Sequence, residues 1–131
     1  MNKDPFLRMM EQRSVNLCDD LVRRIVDLFC QQGFVLRSRN RTSGIRVFDH
    51  SQMQGIRAVF DPRNHRSGKN RMPCIVIERI TPYLAVEIDR VNFFCLDISD
   101  PDVIVWDAED FLAAFVSKYT NLLEDRHATA V

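Results

Sequence analysis

Three strand-length apolar runs, at residues 74–80, 83–89 and 91–98, follow one another with almost nothing between them. Parallel neighbours need a crossover of about a dozen residues or more, and only short turns are available here. The three runs are therefore predicted to form an antiparallel meander. Residues 74–80 are apolar on both faces around Ile75, Val76 and Ile77, and residues 91–98 likewise around Phe93, Phe94, Cys95 and Leu96. That is the pattern of strands covered on both sides. Residues 83–89 alternate, with Leu84, Val86 and Ile88 expected inward and Glu87 and Asp89 outward.

Upstream, the period changes. Leu17, Cys18, Leu21, Val22, Ile25, Leu28 and Phe29 recur at three-four spacing, predicting a helix over 15–32 with Ser14 as N-cap. Asp20 and Arg24 have the spacing and order of a favourable i,i+4 pair, and Gly33 supplies the left-handed stop. Short strands are expected at 34–37, 45–48 and 55–60. Ile45 and Val47 are placed on one face of theirs, with Arg46 and Phe48 on the other. Ile56, Ala58 and Phe60 face inward in the third, and 49–54 reads as a loop. Residues 62–71 contain no apolar side chain and read as a solvated connection. Downstream, 103–106 is expected to be extended. Asp107 caps a last helix whose stripe is Phe111, Leu112, Phe115, Tyr119 and Leu122.

Strands bracketed by helices define the expected fold class: α+β, with an N-terminal helix, an antiparallel sheet of five or six strands and a C-terminal helix packed on it. At 131 residues the chain is expected to be a single domain, 1–131, with 1–13 a mobile segment and 125–131 a frayed tail. No run is long and apolar enough to span a membrane, and residues 1–6 lack a signal-peptide pattern. Cys18, Cys30, Cys74 and Cys95 form no CxxC pair and fall in apolar runs, which reads as buried free thiols. A cytoplasmic protein without a metal or other cofactor is expected.

Charge is distributed unevenly. Residues 37–71 hold nine Lys and Arg against Asp49 and Asp61, a net +7 in a chain of zero net charge. Residues 72–131 carry −7. Arg outnumbers Lys eight to one in the basic block, and Arg binds phosphate bidentately and stacks on bases. The first functional expectation is a non-enzymatic protein that contacts nucleic acid, DNA or RNA. The contact residues would be Arg37, Arg39 and Arg41 on an extended arm and Arg63, His65, Arg66, Lys69 and Arg71 in a loop. Arg46 and Arg57 are set aside, because Glu78, Glu87 and Asp89 on later strands could pair with them.

Two other classes compete. An adaptor, chaperone, immunity protein or inhibitor would use the same charge asymmetry to dock an acidic protein, and the two-sided strands or residues 6–10 would offer a homo-oligomer contact. A metal-dependent nuclease would draw on Asp61, Glu78, Glu87 and Asp89, but no Lys lies two residues after either Glu. His50, His65 and His127 show no ligand spacing.

One local pattern resembles a known family. Arg37-Ser-Arg-Asn-Arg41, followed by Asp49, Ser51 and Gly55, is similar to the RxxxR and DxSxxG motifs of PilZ domains, with one extra residue before the glycine. The resemblance is confined to residues 37–55. It implies cyclic di-GMP contacts from Arg37, Arg41, Asp49 and Ser51.

Overall fold

The computed structural model describes residues 17–63, 73–93 and 101–129, with side chains in the last segment to residue 120. The elements are α1 (Asp19–Gln31), β1 (Phe34–Arg39), β2 (Arg46–His50), β3 (Ile56–Asp61), β4 (Cys74–Ile80), β5 (Ala85–Asn92) and α2 (Pro101–Thr129). Each strand pairs antiparallel with its neighbour in the chain, in the order β1-β2-β3-β4-β5. This is the α+β arrangement that the periodicities predict.

α1 buries Leu21, Val22, Ile25, Leu28 and Phe29, the expected stripe. Phe29 is its anchor. Its ring stacks on Phe48 at 4.2 Å and lies edge-on to Phe34 at 5.5 Å. Ile56, Ala58, Phe60, Ile75 and Ile77 continue this apolar face across the sheet, and Ile104, Ala108, Leu112 and Phe115 of α2 close over it. Gly33 ends α1 at φ 88°, and its carbonyl accepts from the Ser51 N–H at 2.9 Å. His50 Nδ1 accepts from the Gln52 N–H at 3.1 Å, so the 2.9 Å contact from Nε2 to the Gln32 carbonyl is a donation. The two contacts together fit the tautomer with its proton on Nε2. The end of α1 is tied in this way to the turn after β2.

Several local expectations are corrected. α1 begins at Asp19 after Cys18, whose extended backbone takes it off the helical stripe and leaves its side chain exposed. Cys30 is exposed as well, and Cys74 alone of the described cysteines is buried. Ser14 and Cys95 lie outside the described residues. Asp20 pairs with Arg23 at 2.6 Å, while Arg24 reaches Asp102 at 2.9 Å and ties α1 to α2. β2 runs to His50, and Phe48 turns into the core in register with Ala58. Stacking on Phe29 gives that ring an apolar partner that the opposite face does not offer.

The segment 103–106 is helical, not extended. Pro101 begins α2, a position where its missing N–H costs nothing. Asp107 is consequently within the helix, and the helix extends through the expected frayed tail to Thr129. Val91 and Asn92 close β5, and the rest of the expected strand at 91–98, apart from buried Phe93, is outside the described residues. Leu84, Val86 and Ile88 are exposed at 57%, 44% and 39%, against expectation. β5 is an edge strand of the described sheet, and its register shifts between the partners of Ile77 and Glu78, which leaves Ile88 without a place in the ladder to β4.

The second sheet face carries charge in a row. In register, Asp49 faces Arg57, Arg57 faces Glu78, and Glu78 faces Glu87. Arg37 reaches Asp49 at 3.2 Å at one end, and Arg90 reaches Glu87 at 2.7 Å at the other. Val59 and Val76 are buried beside this row.

A basic cluster at the hairpin end

The β1–β2 turn is built by Asn40. Its side-chain oxygen accepts from the N–H groups of Thr42 and Ser43 at 2.9 and 3.0 Å, and its backbone N–H donates to the Ile45 carbonyl at 2.8 Å. Gly44 takes φ 78° within it. This turn sets the register that places Arg39 opposite Arg46. Like charges directly opposed on a ladder are destabilising.

Arg63 is brought to the same place from the end of β3. Its guanidinium donates to the Thr42 carbonyl at 3.3 Å, and its backbone N–H to Asp61 Oδ1 at 3.2 Å. Arg46 donates to the Gly44 carbonyl at 2.7 Å. Both side chains are therefore held by neutral carbonyls, which fix their direction without neutralising them. Arg46 is held below the ordinary arginine value by its partial burial, then by Arg39, with Asp19 opposing and Arg63 adding to the depression. Arg41 is exposed in the turn itself.

Between this hairpin and α1 lies a cleft of about 420 Å³. Val22, Val26 and Leu36 line it, and Arg23, Arg39 and Arg46 stand around it with Asp19.

Of the residues expected at the site, Arg39, Arg41 and Arg63 share this end of the sheet. Arg37 does not join them. It lies further along β1, paired with Asp49, which also stands 3.9 Å from Arg57. His65, Arg66, Lys69 and Arg71 are outside the described residues. Arg46 belongs to the cluster although the sequence reading set it aside. Its signal was the near-symmetric spacing of Arg39 and Arg46 about the Thr42-Ser43 tip, which reads as a cross-strand pair once a hairpin is assumed.

The residues of the PilZ-like pattern are spread along the hairpin. Arg41 is in its turn, and Ser51 follows the far end of β2. Five residues of strand separate those ends, roughly 17 Å.

The acids considered for a nuclease are also divided. Asp61, Glu78 and Glu87 line a cavity of about 230 Å³ on the second sheet face, together with Cys74 and Arg90. Asp89 is in register with Ile77 of the opposite face. Arg90 is raised above its ordinary value, chiefly by its hydrogen bond to Glu87. Among the described residues no group of three His, Cys, Asp or Glu side chains is placed to hold a metal ion, and no helix is long and apolar enough to cross a membrane.

Comparison of the chain with protein-family models, with curated proteins and with solved structures finds no match.

Proposed function

We propose that this protein binds nucleic acid through the hairpin-end cluster of Arg39, Arg41, Arg46 and Arg63. One observation carries the reading: Arg39 and Arg46 are held face to face, and Asp19 offsets less than the repulsion that Arg39 exerts on Arg46. A fold that retains such a pair forgoes stability at that position. A phosphate chain restores it by supplying one anion per guanidinium. The neighbouring arginines on the second sheet face lack this property, because Asp49 serves both Arg37 and Arg57.

The test is binding of fluorescein-labelled DNA and RNA to the full chain from low to moderate salt. Affinity is expected to fall steeply with salt. Replacing Arg39 and Arg41 together by Gln, neither of which holds the turn, is expected to flatten the log–log salt slope by about one per lost phosphate contact. Absence of binding at low salt overturns the proposal.

The β5 edge favours a second reading, a protein contact. Tyr83, Leu84, Val86 and Ile88 are all exposed on or beside a strand whose outer edge pairs with no other described strand. Val86→Lys is expected to abolish any self-association detected by light scattering. A monomer at all concentrations removes self-pairing as the use of this edge.

A further inference from the structure

The hairpin-end cluster has an apolar neighbour that phosphate binding does not use. Val22 and Val26 of α1 and Leu36 of β1 line the cleft, and Leu36 is 45% exposed despite lying on the core side of the sheet. In the described sheet β1 is an edge strand, and its register is interrupted between Leu36 and Ser38, beside the cleft. Guanidinium groups stand on its rim, with Arg39 and Arg46 on the hairpin side and Arg23 on the helix side. Arg23 is engaged with Asp20, so the unneutralised charge lies on the hairpin side.

We infer that the cleft receives an unstacked base, and that the preferred ligand is therefore single-stranded nucleic acid, with its backbone on the arginines of the hairpin and one base on the Val22–Val26–Leu36 floor. This rests on the nucleic-acid reading and narrows it. In a duplex the base faces are stacked and the edges point into grooves, so an apolar recess of this size on the protein is left empty. A single strand turns its bases outward, and an apolar recess beside a basic rim satisfies both parts of the nucleotide at once. Asp19 at the same cleft supplies a hydrogen-bond acceptor suited to an exocyclic amino group.

The experiment compares three probes on the full chain at one salt concentration: oligo(dA), the duplex of oligo(dA) with oligo(dT), and heparin, which has the charge without bases. Oligo(dA) is expected to bind tighter than the duplex by about five-fold or more, the scale of one packed base. Leu36→Asn and Val26→Asn, each checked for an unchanged melting transition, are expected to weaken oligo(dA) by a similar factor and to leave heparin unchanged. Leu36 is already substantially exposed, so that variant carries the test if Val26→Asn melts early. Equal affinity for strand and duplex, or an equal loss of oligo(dA) and heparin binding in Leu36→Asn, overturns the base-in-cleft inference while the charge-based reading stands. Failure of all three probes to bind removes both.

Discussion

Arg39 and Arg46 stand directly opposite one another across the β1–β2 ladder, two guanidinium groups in register. Opposed like charges on a sheet cost a few tenths of a kcal/mol to about 1 kcal/mol. Arg39→Gln is therefore expected to raise the urea midpoint slightly, by up to about 1 kcal/mol in unfolding free energy, while weakening polyanion binding. Equilibrium unfolding and a binding titration on the same variant check both halves. A loss of stability together with a loss of binding points to a structural role for Arg39.

On the second sheet face the arginines behave differently. Arg37 is largely exposed and its ion pair with Asp49 is worth about 0–1 kcal/mol, so Arg37→Met is expected to be nearly neutral for stability and for polyanion binding. Arg57 is more enclosed, lying between Asp49 and the buried Glu78 in register. Arg57→Met is expected to cost more, about 1–3 kcal/mol, since it removes a cation lying between Asp49 and Glu78 in a partly desolvated place. The ranking of the two in a denaturant titration is the measurement; the reverse order contradicts the ladder described above.

Gly33 occupies the left-handed region at φ 88°, and a Cβ there would come within 2.9 Å of His50 Nε2. Gly33→Ala is expected to cost about 1–2 kcal/mol from the backbone alone. Displacement of the His50 ring from Gln32 adds to this. Thermal unfolding reports the sum, and proton NMR of the imidazole reports the ring's movement.

Phe29 touches three aromatic rings and is fully buried. Phe29→Ala is expected to lower stability by about 3–5 kcal/mol, a large share of what a domain of this size possesses. A variant that unfolds with a wild-type midpoint in guanidinium would be incompatible with this core.

The described cysteines divide by exposure. Cys18 and Cys30 are expected to react with a maleimide in the native protein, and Cys74 only after denaturation. Peptide mapping of the labelled chain distinguishes them.

Much of the fold was legible because local rules and packing agree. The three-four stripe of α1 ends at a glycine that takes the left-handed conformation. The connection between β4 and β5, too short for a crossover, forced that pair into antiparallel order. Legibility ended where a residue had two acceptable environments. Phe48 alternates with Val47 in the strand, and periodicity alone could place either inside; the flat ring of Phe29 selects Phe48. Val86 and Ile88 carry the alternation of an inward face, yet β5 lies at the margin of the sheet and exposes them. At 103–106 the β-branched residues Val103, Ile104 and Val105 suggest a strand, but burial of Ile104 with Ala108 and Leu112 outweighs a propensity difference of under about 1 kcal/mol per residue.

The candidate site was legible as a composition and not as a place. By itself the sequence determined the order of elements, the antiparallel sheet and an excess of positive charge over residues 37–71. Only the tertiary structure decided which of those charges stay together. Register put Arg39 against Arg46 and drew Arg63 to the same turn, whereas Arg37 and Arg57 were placed beside Asp49. Charges counted along a chain simply add, but the field they produce depends on separation and on nearby counter-charge. Those distances are set by strand pairing and turn geometry, between residues that the sequence holds far apart.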